Sequence, residues 1–145
     1  MHNDDMTFCV NVVKMLARRS RATRAQVGCV IWNKDLRTIV SLGYNGTAAG
    51  EDNMMERNNV TLDTVIHAEM NAIRKLRWYQ RRKHLVLFVT HTPCMNCANV
   101  ILDARIREVY YLENYGTHAG VEHMVSNRFT FTPRFTRCST PAWVP

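Results

Sequence analysis

Leu85-Val86-Leu87-Phe88-Val89-Thr90-His91-Thr92-Pro93-Cys94-Met95-Asn96-Cys97 passes from an unbroken apolar run into a Pro-Cys turn. A run this short, aliphatic and aromatic throughout and bounded by polar residues, reads as a strand over residues 85–90 buried on both faces. The chain beyond it alternates in type: a helix over 96–105, a strand over 108–112, a short helix over 119–127 and an edge strand over 128–132. Strands and helices in that order imply right-handed crossovers and a parallel part to the sheet.

Working back toward the N-terminus, Met70, Ile73 and Leu76 recur at near-helical spacing and predict a helix over 67–79. Residues 45–63 carry Gly46, Gly50, several Asn and acids and no sustained period, which describes a long loop of the kind that usually serves function. Residues 26–32 and 38–44 are β-branched and apolar around a polar turn at 33–37, a hairpin. The first helix spans 6–19, with Phe8, Val12, Met15 and Leu16 on one face and Asp4 or Asp5 as N-cap. The expected fold is α/β, a three-layer α/β/α sandwich around a mixed five-stranded sheet. The 145 residues form one domain, with an irregular tail over 132–145 that holds Pro133, Pro141 and Pro145 with Phe135 and Trp143.

Nineteen Lys and Arg against twelve Asp and Glu leave a net charge of +7, which favours anionic partners without choosing among them. No apolar run reaches the ~18 residues a membrane span needs, and Asp4 and Asp5 stand where a secretory signal would be basic. The expectation is a soluble, cytoplasmic protein. Five cysteines without a secretory signal argue against a disulfide framework. Cys9 and Cys29 lie in apolar patterns as small core residues, and Cys138 in the tail has no assigned role.

Cys94-x-x-Cys97 is different, because His67-Ala68-Glu69 stands upstream of it. One imidazole and two thiolates make a three-ligand zinc site with an open fourth position, as catalytic zinc requires. Zinc lowers the pKa of bound water toward ~7, and a carboxylate two residues from a ligand, Glu69, can shuttle its proton. His67 and Cys94 both fall at predicted helix starts, where free N–H groups and the helix dipole favour thiolate and developing negative charge. A redox pair or half of a structural zinc site would use the two cysteines but leave His-x-Glu unexplained. His84, His91, His118 and His123 show no ligand spacing, and His91 is placed as a strand residue near the site.

His-x-Glu with Pro-Cys-x-x-Cys is the signature of zinc nucleobase deaminases, and the chain resembles the cytidine deaminase superfamily and, within it, the deoxycytidylate (dCMP) deaminases. The resemblance covers about residues 17–112. It is carried by Arg19-Ser20-Arg21 through Gln26-Val27-Gly28, by Gly43-Tyr44-Asn45-Gly46, by residues 67–73 and by Thr92-Pro93-Cys94. Gly-Tyr-Asn-Gly, with Asn71 and Ala72, is what narrows the match to the dCMP group.

The resemblance implies a cytidine deaminase-like fold and hydrolysis of dCMP to dUMP and ammonia, feeding thymidylate synthesis. His67, Cys94 and Cys97 would hold Zn2+ and Glu69 would move the protons. The Ala68 N–H would hold the pyrimidine O2, Asn45 the sugar hydroxyl, and Tyr115 would cap the base. Thr92 and Pro93 belong to the same substrate-side motif. Arg21 and Arg24 are the phosphate candidates, with Arg18 and Arg19 behind them. A homo-oligomer, a hexamer, is also implied.

The chain departs from the family after Gly46. Thr47-Ala48-Ala49-Gly50 replaces a Pro-containing stretch, which counts against dCTP and dTTP as effectors. No Cys or His between Gly46 and Ile66 is available for the second, structural zinc of some relatives. The short loop suits a compact, viral version acting in a host cytoplasm.

The rival reading is a polynucleotide deaminase acting on tRNA adenosine or single-stranded DNA cytosine. Its support is a basic run over 74–83 with Trp78 and Tyr79 interleaved. A non-enzymatic zinc module would leave Glu69 without a purpose.

Overall fold

The computed structural model describes residues 1–80 and 84–127, together with the backbone of 134–137. The elements are α1 (Asn3–Ala17), β1 (Gly28–Asn33), β2 (Thr38–Tyr44), β3 (Glu56–Arg57), β4 (Val60–Thr61), α2 (Ala68–Arg74), β5 (Leu85–His91), α3 (Met95–Asp103), β6 (Glu108–Glu113), α4 (Ala119–Ser126) and β7 (Arg134–Arg137). The apolar run at Leu85 is the central strand of a five-stranded sheet ordered β2-β1-β5-β6-β7. β1 pairs antiparallel with β2 and β5, whereas β5–β6 and β6–β7 are parallel, so the sheet is mixed as expected.

The period-two alternation of β1 and β5 divides the core. Val30, Trp32, Val86 and Phe88 pack with Cys9, Val10, Val13 and Leu16 of α1 on one face. Cys29, Ile31, Leu87 and Val89 pack with Ala72, Ile73, Ala98 and Ile101 of α2 and α3 on the other. Each buried aliphatic side chain contributes about 1.5–3 kcal/mol of transfer free energy, which explains why a strand with no polar alternation stays in the middle.

Several expectations are corrected. α1 begins at Asn3 with His2 at its N-cap and no side-chain cap bond, so Asp4 and Asp5 sit in the first turn, where they meet the helix dipole, rather than at the cap. Its buried stripe is Cys9, Val10, Val13, Leu16 and Ala17, leaving Phe8 51% and Met15 68% exposed. Phe8 instead meets Trp32 edge-on at the rim, ring centroids 6.2 Å apart. Residues 26 and 27 fall outside β1, because the Val27 N–H donates to Asn45 Oδ1 (2.8 Å) instead of to a neighbouring strand. α2 ends at Arg74, well short of residue 79, and a turn follows in which the Arg77 N–H donates to Gln80 Oε1 (2.9 Å).

The loop after Asn45 contains a two-stranded hairpin, β3 against β4, with Asn58 and Asn59 both at positive φ (51° and 60°) in its turn. Gly46 and Ile66 exchange backbone hydrogen bonds and close the base of this excursion. The fifth strand lies at Arg134–Arg137, inside the stretch expected to be an irregular tail. The strand expected over 128–132, and Cys138 with Trp143, lie outside the described residues. Among the described residues no helix is long and apolar enough to cross a membrane.

α2 rests directly on the backbone of β2. A Cβ on Gly43 would stand 2.5 Å from the Ala68 carbonyl oxygen and 2.7 Å from the Ala72 nitrogen. Ser41 Oγ donates to the Ala72 carbonyl (2.6 Å), and Asn71 Nδ2 to the Tyr44 carbonyl (2.9 Å). Gly43→Ala is therefore expected to lower stability by about 1–3 kcal/mol in denaturant unfolding, through forced separation of α2 from the sheet.

Candidate active site

Two helix N-termini meet at one end of the sheet. His67 is the N-cap residue of α2 and Cys94 that of α3, as the spacing predicts, and Cys97 follows on the first turn of α3. Cys94 Sγ lies 3.5 Å and Cys97 Sγ 3.3 Å from His67 Nδ1. The three donor atoms all fall within 4.8 Å of one another. A tetrahedral zinc with Zn–N of ~2.0 Å and Zn–S of ~2.3 Å places nitrogen and sulfur about 3.5 Å apart, so the donor set matches the ion in both chemistry and spacing.

The thiols are unequal. The hydrogen bond from Cys97 holds Cys94 down at about 3, with His67 adding to the effect, while that same bond and then burial push Cys97 up. Hydrogen bonding to Cys94 raises His67. Such a mutually hydrogen-bonded cluster exchanges its protons for a cation of the right size.

Glu69 is buried beside this cluster, and burial pushes its carboxyl above the usual range. It opens onto a cavity of about 330 Å³ whose wall also includes His67, Ala68 and Cys94. Ala68 is the first residue of α2, where the backbone N–H has no acceptor within the helix.

The substrate-side candidates divide. Arg24, Asn45, Thr92 and Tyr115 line the cavity. Arg21 is exposed and contributes nothing to its wall, and Arg19 sits over the Tyr44 ring, 5.7 Å from the centroid. Pro93 is buried behind Cys94 rather than in the wall. Asn45 also has a structural task, accepting from the Val27 N–H and donating to the Ala25 carbonyl, each at 2.8 Å. Thr92 Oγ1 donates to the Tyr115 carbonyl (2.9 Å) and accepts from the Tyr115 N–H (3.0 Å), which ties that loop to the ligand turn. His91, at the end of β5, meets the Tyr115 ring edge-on at 5.3 Å.

Glu56 and Thr61 of the β3–β4 hairpin, with Val65, also line the wall and carry no motif that marks them in the sequence. The adjacent Asn58-Asn59 is the available signal, since two successive residues tolerant of positive φ mark a tight hairpin that brings its flanking residues together.

The family model of the cytidine and deoxycytidylate deaminase zinc-binding region matches residues 2–113. The chain belongs to this family of zinc-binding deaminases. It is 40% identical over 112 residues to a probable deoxycytidylate deaminase of Caenorhabditis elegans, covering 72% of this chain and 55% of that one. It is 38% identical over 109 residues to the ComE operon protein 2 of Bacillus subtilis, covering 72% and 57%. The chain thus spans a little over half the length of these relatives. Among solved structures, the dCMP deaminase of cyanophage S-TIM5 in complex with dCMP and dUMP superposes with a TM-score of 0.79 at 26% identity, covering 94% of this chain and 99% of that one.

Gly120 opens α4 so close to the ligand turn that a Cβ there would lie 2.2 Å from the Pro93 carbonyl oxygen and 2.7 Å from the Cys94 carbonyl carbon. Cys97→Ala is expected to remove stoichiometric zinc, and Gly120→Ala to weaken zinc binding about 10–100-fold by displacing Cys94. Chelator competition with subsequent metal analysis reads both.

Proposed function

We propose that this chain hydrolyses dCMP to dUMP: water adds at C4 of the cytosine, the bond from C4 to the exocyclic nitrogen breaks, and ammonia leaves. The observation that carries the reading is the His67, Cys94 and Cys97 donor set, of which His67 and Cys94 stand in the wall of a cavity that the buried Glu69 also lines. The choice of substrate is supported by the relative named a probable deoxycytidylate deaminase and by the S-TIM5 enzyme seen with dCMP and dUMP.

His67 Nδ1 and the sulfurs of Cys94 and Cys97 would hold the zinc, which would supply a nucleophile near neutral pH by lowering the pKa of water. Glu69 accepts one proton of the attacking water and delivers it to the ring N3, then takes the second from the new C4 hydroxyl and gives it to the departing amine, so one carboxyl serves as base and as acid. The Ala68 N–H donates to the pyrimidine O2, which orients C4 toward the ligand cluster. Asn45 keeps one N–H and one lone pair after its bonds to Ala25 and Val27, enough for a sugar hydroxyl. Tyr115, braced by His91 and Thr92, caps the base, and Arg24 supplies the positive charge for the 5′-phosphate.

The reading extends to a homo-hexamer without dCTP or dTTP control; light scattering tests the first, and a monomer would reject it.

The deciding experiment offers zinc-loaded protein dCMP, CMP, deoxycytidine and a cytosine-containing DNA oligomer and measures ammonia release. Selective turnover of dCMP is expected. Glu69→Ala should lose about 10²–10⁴-fold in kcat while keeping its zinc. Turnover of the oligomer alone would overturn the reading.

A further inference from the structure

The β3–β4 hairpin meets the cavity through two residues that its register places side by side, Glu56 and Thr61. Arg24 approaches the same corner from the segment before β1. Its Nη1 lies 3.5 Å from Thr61 Oγ1, a loose contact, and among the described residues no carboxylate pairs with its guanidinium. Glu56, the carboxylate at hand, is engaged elsewhere. Its Oε1 accepts from two successive backbone amides, Thr23 N (3.0 Å) and Arg24 N (3.3 Å).

The adjoining apolar residues explain how this clasp is assembled. Ala22, next to Thr23, packs with Met55, next to Glu56, and with Val65 in a small cluster of its own, flanked by Leu62. The hairpin is therefore buttoned onto the segment that carries Arg24 and joined by a carboxylate spanning two N–H donors. Charge-assisted bonds of this kind are directional, and they fix the backbone from which the Arg24 side chain departs. A carboxylate in the wall of an anion-binding cavity is unfavourable as a charge, so its value lies in the geometry it imposes.

We infer that Glu56 is a positioning residue for phosphate recognition: by binding the Thr23 and Arg24 amides it aims the Arg24 guanidinium, with the Thr61 hydroxyl beside it, at the 5′-phosphate of the nucleotide. The inference rests on the reading of dCMP, a monophosphate, as substrate. It assigns the hairpin the task of separating nucleotide from nucleoside.

The test is calorimetric and needs no turnover. Zinc-loaded protein is titrated with dUMP and with deoxyuridine, and the ratio of the two Kd values measures the phosphate contribution. Arg24→Ala and Glu56→Ala should each reduce that ratio about tenfold. Glu56→Gln, whose amide oxygen still accepts both N–H groups, should keep it within about threefold. Glu56→Asp retains the charge on a shorter arm and should lose it, which keeps the test decisive if Glu56→Ala does not fold. The double variant Arg24→Ala with Glu56→Ala should lose no more than Arg24→Ala alone, as for a residue acting through another. A wild-type preference for dUMP that Glu56→Ala or Glu56→Asp leaves intact, or losses that add in the double variant, would overturn the positioning role. A wild-type chain with no preference for dUMP would instead reject the monophosphate reading.

Discussion

Everything at the site depends on how closely α2 lies against β2. Gly43 lets the Ala68 carbonyl and the Ala72 nitrogen come to where a side chain would stand, and Ser41, Asn71 and Lys75 then bridge helix and strand. That approach sets the position of His67, one residue before the helix. The thiols come from the far side, on α3, whose own start is pressed by Gly120. Metal coordination tolerates errors of only about 0.2 Å in ligand distance, so two backbone contacts with no room for a methyl group set where the donor atoms stand. A core built this way also couples metal to stability, because zinc binding favours the one packing that brings both helix starts together.

The parts of this arrangement legible in the sequence are those with a rigid link between residue type and geometry. Cys-x-x-Cys at a helix start, His-x-Glu at another and an apolar strand between helices leave few alternatives, and the three donors are found together. Amphipathic surfaces are less binding: Phe8 and Met15 look like core residues of α1, but the stripe centred on Cys9, Val13 and Leu16 fits the strand face better because Gly28 admits the helix at Val13 and Ala17. The hairpin at Glu56 is hidden because strands of two residues have no measurable period. Arg21 and Arg24 cannot be separated by spacing, since what distinguishes them is the cluster of Ala22, Met55 and Val65, formed by residues distant in the chain. Asn45 is legible as a site residue but not as a structural one, because its bonds to Ala25 and Val27 exist only once β2 returns beside β1.

The charge of +7 invites a polynucleotide partner, and its arrangement relative to α2 weighs against such a partner at the cavity beside His67. His67, Ala68 and Glu69 occupy the start of a seven-residue helix, about 10 Å long at 1.5 Å per residue, while Arg74, Lys75 and Arg77 lie at its end and just beyond. Trp78 is 78% exposed and meets Tyr79 edge-on, and neither lines the cavity. The aromatic and basic surface and the His67–Glu69 end of the cavity are thus at opposite ends of one helix, whereas a strand-binding groove presents its stacking platforms beside the base it processes. Arg24 lines the cavity together with Glu56, whose carboxylate accepts from the Thr23 and Arg24 amides, and with the buried Glu69. The overall field raises the local concentration of any anion without choosing among them, so a charge of +7 does not by itself call for a continuous nucleic-acid backbone.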